Sequence, residues 1–270
     1  MPELPEVEIT RIAITPYIVG NVVAAVEVRG DRLRWPIPTE LAELVPGQII
    51  QWVERRGKYL LLHCPAGAVL IHLGMTGHLR ILHDGSDPGK HDHFDLVFGN
   101  GIVLRLNDSR RFGAVLWAGP DPFGHKLLSE LGPEPLSDNF DGPYLYRRSR
   151  MRKLTVKQFI MNHKVVAGIG NIYANEALFH AGILPATPAG QLSESHCEQL
   201  AQSIKNVLTV AVNIGLAMLD NSDGMQKLGY FPQQWAVYNR AGLPCPKCEA
   251  PIQHRRSGQR STYYCAACQR

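Results

Sequence analysis

The chain has 270 residues, 45% of them hydrophobic, and a net charge of +4. That length and apolar content suit one large or two modest globular domains with cores of their own. The first twenty residues carry Glu3, Glu6 and Glu8 and no basic leader before an apolar run, which argues against a signal peptide; no stretch approaches the roughly 18 uninterrupted apolar residues of a membrane span, so a cytoplasmic protein is expected.

The N-terminus reads Met1-Pro2-Glu3-Leu4-Pro5-Glu6-Val7-Glu8. If Met1 is removed, the new terminus is the secondary amine of Pro2. A terminal amine has a reference pKa of roughly 7.7–8, so much of it is unprotonated near neutral pH. A secondary amine that condenses with an aldehyde carbon gives an iminium, which is positively charged without a proton and serves as an electron sink. Glu3 and Glu6 lie within one helical turn of that amine, placed to move protons. Taken alone, the same residues read as an ordinary frayed terminus.

Val7, Ile9, Ile12 and Ala13 predict a short amphipathic helix after Pro5, with Glu3 and Glu6 at its N-terminus, where the helix dipole favours anions. From Val22 the pattern turns to alternation and β-branched residues. Residues 22–28, 48–53, 59–62 and 69–73 read as strands, and 94–98 and 102–106 flank Gly99-Asn100-Gly101, a hairpin signal. Many short strands without alternating helices predict an antiparallel sandwich ending near Gly132. Pro133 to Tyr144 reads as a linker. Val156–Asn162 and Ile172–His180 read as two short helices joined through Gly168-Ile169-Gly170-Asn171, an anion site by geometry and dipole with Asn171 as cap. Ser193 or Ser195 then caps a longer helix with Leu200, Ile204, Val207, Leu208 and Ala211 on one face, breaking near Gly215.

Charge divides along the chain. Residues 1–146 hold 13 Lys/Arg against 18 Asp/Glu, and residues 147–270 hold 15 against 6. The basic half, with its run Arg147-Arg148-Ser149-Arg150-Met151-Arg152-Lys153, suits a polyanion partner, although such a run also serves as a solvated face. The last cysteines read Cys245-x2-Cys248-x16-Cys265-x2-Cys268, the spacing of a zinc ribbon with four thiolates on one tetrahedral ion. Two disulfides are the other use of four cysteines, disfavoured in the cytosol. A four-thiolate site has no open position, so one structural Zn2+ is expected. Cys64 and Cys197 read as small buried side chains.

The stretches PELPEVE, Lys58-Tyr59-Leu60, His72-Leu73-Gly74-Met75-Thr76-Gly77, Lys90-His91-Asp92-His93, Asp108-Ser109-Arg110-Arg111-Phe112-Gly113 and Gly168-Ile169-Gly170-Asn171-Ile172-Tyr173, with the four-cysteine finger, together resemble the formamidopyrimidine-DNA glycosylase family. The resemblance runs in order from Pro2 to the last cysteines. It implies an α+β protein: an N-terminal antiparallel β-sandwich with flanking helices over 1–132, a linker over 133–150, a helix–two-turns–helix DNA-binding domain over 151–235 and a β-hairpin zinc finger over 236–270. The implied partner is double-stranded DNA with oxidised bases or abasic sites, held in the cleft between the domains. A monomer away from membranes is expected, in the bacterial cytoplasm and associated with the nucleoid through DNA.

The implied activity is a bifunctional DNA glycosylase and AP lyase on oxidised purines. Pro2 would attack C1′ and displace the base, Glu3 would protonate the opening sugar oxygen, Glu6 would support that network and Lys58 would donate a proton at the lesion. Met75, Arg110 and Phe112 would fill the space left by the everted nucleotide, as base chemistry inside a duplex requires eversion. His91, Arg111, Arg152 and Asn171 would hold the DNA backbone, and Arg260, in the finger hairpin, would grip DNA at the catalytic centre. Gly215-Leu216-Ala217-Met218 departs from the hydroxyl-rich segment usual in the base-covering loop, which is continued here by Leu219–Gly224; Gly229-Tyr230-Phe231 is as expected. The departure keeps open a preference for oxidised pyrimidines, as in the related endonuclease VIII branch. A non-catalytic damaged-DNA binder is a further alternative, one with no use for Pro2, Glu3 and Lys58.

Overall fold

A computed structural model describes residues 2–30, 32–83, 86–220 and 234–270. Contacts divide the chain into two units, one of Met1–Ser129 with Ile214–Phe231 and one of Glu130–Asn213 with Pro232–Arg270.

The first unit begins with α1 (Leu4–Ile18) and continues through β1 (Val23–Val28), the single turn α2 (Leu41–Leu44), β2 (Trp52–Arg56), β3 (Tyr59–Cys64), β4 (Gly67–His72), β5 (His78–Leu82), β6 (Asp92–Phe98), β7 (Val103–Asn107) and β8 (Ala114–Trp117). The strands form two four-stranded antiparallel sheets, in the orders β1-β6-β7-β5 and β2-β3-β4-β8. One core holds Phe94, Leu96, Leu104 and Leu106 from the first sheet, Val53, Leu60, Leu62 and Ile71 from the second, and Val7, Ile14 and Ile18 from α1. The sandwich and the helix therefore share one apolar interior. The helix is longer than its sequence pattern predicts, and Leu4, Val7, Ile9, Thr10, Ile14 and Ile18 are all buried on more than one face of it. A helix covered this widely is part of the core rather than an amphipathic surface helix.

Two strand expectations are corrected. β5 and β8 occupy stretches that alternation did not mark, and β2 begins at Trp52 rather than Gln48, which lies outside the ladder. In β6 and β7 the charged residues Asp92, Asp95 and Arg105 are buried. Asp95 lies across from Arg105 and accepts two of its N–H groups at 3.0 and 2.8 Å, and Arg29 donates to it at 2.8 Å. Asp92 accepts from Arg80, Asn107 and the N–H of Gly89 at 2.7–2.8 Å. Buried carboxylates persist because they are paired and hydrogen-bonded.

The second unit carries α3 (Gly142–Ser149), α4 (Val156–Ile160), α5 (Asn171–His180), α6 (Glu194–Asp220) up to Asn213, β9 (Gln253–Ser257) and β10 (Arg260–Tyr264). The segment read as a linker contains α3, capped by Asp141, whose carboxylate accepts from Tyr144 at 2.6 Å. Thr155 and Gln158 form the reciprocal cap of α4. Ser193 caps α6, its hydroxyl accepting from His196 at 3.1 Å. Leu200, Ile204, Leu208 and Ala211 are buried on one face of α6 as expected, but the helix runs through the buried Gly215 to Asp220 instead of breaking there. By length and composition α6 would reach across a membrane; its residues Leu200, Ile204, Leu208 and Ala211 are covered by protein, Val210 and Met218 are exposed, and Lys205 bonds the carbonyl of Ser137 at 3.0 Å.

Asp95→Ala should cost about 3–5 kcal/mol by leaving Arg105 buried without its partner. Urea unfolding of the two proteins measures it, and a loss below about 1 kcal/mol would show that water reaches Arg105.

Candidate active site

Pro2 and Glu3 lead directly into α1, and both are buried. Glu3 occupies the N-cap position, and its N–H donates to Oε2 of Glu6 at 2.9 Å. The carboxylate of Glu6 is therefore a brace for the terminal turn. One turn on, Glu8 pairs with Arg11 at 2.6 Å and with Arg55 at 2.8 Å, and Arg55 also donates to the carbonyl of Gly57 at 3.0 Å. Arg55 thus ties α1 to the tight β2–β3 turn, Gly57-Lys58, in which Gly57 sits at φ +59°. That conformation suits glycine first in a two-residue hairpin turn, and it presents Lys58 as the second turn residue.

His72 joins this cluster, and no single-residue signal in the sequence marked it. Strand register sets it opposite Tyr59, their rings 4.8 Å apart, and its Nδ1 accepts the N–H of Gly74 at 3.0 Å. The neutral ring therefore carries its proton on Nε2. Burial first, then the charges of Lys58 and Arg34, push its pKa down to about 4, against the opposing influence of Asp108. Arg34 is exposed, lies over the ring of Trp35 at 4.8 Å and hydrogen-bonds through its backbone N–H to Gly113 at 2.9 Å. Lys58 and Arg34 accordingly create a positive field around a neutral, donor-bearing His72.

Two loops beside this cluster carry Met75, Arg110, Arg111 and Phe112, all exposed, with the Arg110 guanidinium over the Phe112 ring at 4.8 Å. They touch backbone to backbone: a side chain at Gly74, which sits at φ +64°, would meet Phe112 and Gly113 within 2.4 Å. Arg111 holds a left-handed conformation, φ +56°. His91 precedes β6, half-buried, its carbonyl accepting from Asp108 at 2.9 Å.

In the second unit Arg152 is exposed just ahead of α4. Asn171 is the first residue of α5 rather than its cap; the cap is Gly170, and Asn171 Oδ1 is buried without a hydrogen-bond partner among the described residues. Arg260 is exposed and opens β10. Lys157, a residue sequence reasoning missed, is buried and donates from Nζ to the carbonyl of Ser261 at 2.6 Å and to the hydroxyl of Thr262 at 2.8 Å. Asn175 accepts the N–H of Tyr263 at 2.9 Å. The hairpin bearing Arg260 is thereby fixed to the helices bearing Asn171.

The sulfurs of Cys245, Cys248, Cys265 and Cys268 lie within 4.8 Å of one another, at 3.9 Å for Cys245–Cys268 and 3.5 Å for Cys248–Cys265. Tetrahedral zinc with bonds of about 2.3 Å sets sulfurs about 3.8 Å apart, whereas a disulfide needs about 2 Å. The four residues fit one structural zinc, and all six cysteines are free, with Cys64 and Cys197 buried. Gly215–Met218 form the last turns of α6 instead of a covering loop. Asn221–Gly224 and Gly229-Tyr230-Phe231 lie outside the described residues, as does Met1.

Family models match three successive stretches: the formamidopyrimidine-DNA glycosylase N-terminal domain over residues 1–115, the formamidopyrimidine-DNA glycosylase H2TH domain over 131–222, and a zinc finger found in FPG and IleRS over 242–270. The chain is 54% identical to the formamidopyrimidine-DNA glycosylase of Geotalea uraniireducens and 52% identical to that of Methylococcus capsulatus, each match covering 100% of both chains. Among solved structures, a Lactococcus lactis Fpg variant in complex with DNA containing Fapy-dG matches with a TM-score of 0.90 at 31% identity over 100% of both chains. The MutM (Fpg) protein of Thermus thermophilus matches with a TM-score of 0.85 at 36% identity over 99% of this chain and 98% of that one.

Replacing Cys245 with Ser should remove the zinc and unfold the hairpin, because ligand binding and folding of such a finger are one equilibrium. Zinc analysis should fall from one ion per chain to none, and hydrogen exchange over β9 and β10 should become fast. His72, whose folded pKa lies below its ordinary value of 6.5, favours the neutral form, so its contribution is full above pH 6.5 and is lost as pH falls toward 4. Relative to His72→Gln, the native protein should therefore lose about 2 kcal/mol in urea unfolding between pH 7 and pH 4.5.

Proposed function

The chain belongs to the formamidopyrimidine-DNA glycosylase family, and from that premise we propose how its own residues carry out base removal and strand cleavage. It is a DNA glycosylase with AP lyase activity, acting on duplex DNA that carries oxidised purines or abasic sites. The braced terminal turn is the observation that carries the residue assignments: Glu3 N–H on the Glu6 carboxylate, linked through Glu8 and Arg55 to the Lys58 turn.

With Met1 removed, the Pro2 nitrogen attacks C1′ as the glycosidic bond breaks and the damaged base leaves with the bonding pair. The ammonium so formed gives up its N–H proton to the Glu3 carboxylate, which delivers a proton to the sugar ring oxygen; the C1′–O bond of the ring breaks, and the nitrogen lone pair freed by that deprotonation forms the iminium to C1′. Loss of a C2′ proton then expels the 3′ phosphate, and a second elimination expels the 5′ phosphate. Each expulsion breaks a C–O bond, and water finally releases the sugar fragment from Pro2. Glu6 holds the turn, while Lys58, with the Nε2–H of His72 and the charge of Arg34 beside it, supplies donors to the lesion's phosphate and to the leaving group.

Met75, Arg110 and Phe112 form the wedge that takes the place of the everted nucleotide. His91, Arg111 and Arg152 hold the backbone, joined by the α5 N-terminus at Asn171 and by Arg260 in the finger hairpin. Such contacts place the duplex without reading it. Zinc folds the finger and takes no part in the chemistry. We place the enzyme in the cytoplasm as a monomer, with domains at 1–132, 151–235 and 236–270 joined by 133–150.

A wider lesion range also has support, since a Lactococcus lactis Fpg has been solved with DNA containing an oxidised pyrimidine, and Gly215–Met218 here lack the hydroxyls usual in the family. Single-turnover assays on duplexes with 8-oxoguanine, a formamidopyrimidine or an oxidised pyrimidine opposite cytosine or guanine rank these substrates. Purine duplexes should be cut to a one-nucleotide gap with phosphate at both ends. Pro2→Gly should strongly slow base release while binding holds, and Glu3→Gln should slow it about 10²-fold or more. Normal excision with weakened binding in Pro2→Gly would remove Pro2 from the reaction.

A further inference from the structure

Asp108 is fully buried, and both of its carboxylate oxygens are taken up by the two wedge loops. Oδ1 accepts the Thr76 hydroxyl at 2.5 Å and Oδ2 accepts the N–H of Gly113 at 2.7 Å. The N–H of Arg110 is shared between the Thr76 hydroxyl, at 3.2 Å, and Oδ1, at 3.3 Å. The backbone of Asp108 is fixed as well, its N–H donating to the carbonyl of His91 at 2.9 Å and its carbonyl accepting from His93 Nε2 at 2.9 Å. One side chain thereby joins the loop carrying Met75 to the loop carrying Arg110 and Phe112, and it does so at the peptide group of Arg110 itself.

We propose that Asp108, acting through Thr76, is a positioning residue that sets opposite-base specificity by holding the Arg110 guanidinium in one register against the orphaned base. The inference rests on the reading of Met75, Arg110 and Phe112 as the wedge. A guanidinium offers only donors. It matches the acceptors on cytosine's pairing edge and is opposed by the amino group of adenine, so the choice between them depends on where the donors stand. Arg110 is exposed, and a free arginine would adjust to either base. Its peptide N–H is pinned by Thr76 and Asp108, and its guanidinium is confined over Phe112, leaving little room for adjustment. Phosphate contacts elsewhere supply affinity without regard to the base. Loss of the frame should therefore weaken discrimination and spare the base-independent part of binding.

The test measures Kd for duplexes carrying a tetrahydrofuran abasic analogue opposite cytosine or adenine, with thermal melting of each protein alongside. The native protein should favour cytosine. Thr76→Val and Asp108→Asn should each lower the cytosine-to-adenine preference about tenfold through weaker binding opposite cytosine, with binding opposite adenine unchanged. Thr76→Ser, which keeps the hydroxyl, should retain the preference. An unchanged preference in folded Thr76→Val would overturn the proposal, as would equal losses in Thr76→Ser and Thr76→Val, or no preference in the native protein. If Asp108→Asn does not fold, the two Thr76 variants decide. Excision of 8-oxoguanine by the native protein, followed separately, reports on the glycosylase reading: a protein that discriminates without excising keeps this inference and sinks that reading.

Discussion

A chain terminus frays unless something ties it down, and the proposed role of Pro2 as nucleophile requires that this be prevented. The tie is the burial of α1. Leu4, Val7, Ile14 and Ile18 lie in the interior, so the helix cannot lift from the sandwich without exposing apolar surface that costs about 25 cal/mol per Å². Once the helix is fixed, its first turn is fixed, and the Glu6 carboxylate closes that turn on the N–H of Glu3. The Glu8–Arg55 pair then carries the same constraint to the Lys58 turn. Placement of the reacting groups follows from packing far from any substrate.

The second unit meets a similar demand by other means. A finger of this size has little core of its own and depends on metal. Its hairpin is also anchored by specific polar bonds: Lys157 to Ser261 and Thr262, Asn175 to Tyr263, and Gln269 to Ile183 at 2.9 Å. Glu176 adds three backbone N–H groups, from Ala236, Val237 and Tyr238. These ties give Arg260 and Asn171 fixed relative positions, as their proposed role in holding a rigid duplex requires.

Much of this was legible in sequence wherever local chemistry and global fold agree. Alternation and β-branched runs located β1, β3, β4, β6 and β7, because their core faces are apolar, and cysteine spacing located the finger. The rest was hidden for physical reasons. α3 begins with Asp141, Gly142 and Pro143, residues that suit a loop as well as a helix start. α6 keeps Gly215 because the flanking apolar residues and burial outweigh a propensity cost of about 1 kcal/mol. The burial of Asp95 and Arg105 is not legible in sequence because the strand pairing that neutralises them is a long-range fact. His72, Lys157 and Asp108 act through partners distant in sequence, and no spacing rule announces them.

Borohydride trapping on a duplex with 8-oxoguanine opposite cytosine, followed by mass mapping of the reduced adduct, tests the central claim most directly. Reduction converts a transient iminium to a stable amine and records which nitrogen attacked. A single adduct on Pro2, in chains that have lost Met1, is the expected result. An adduct on Lys58 or another lysine, or excision by chains that retain Met1, would contradict the role of the braced terminus.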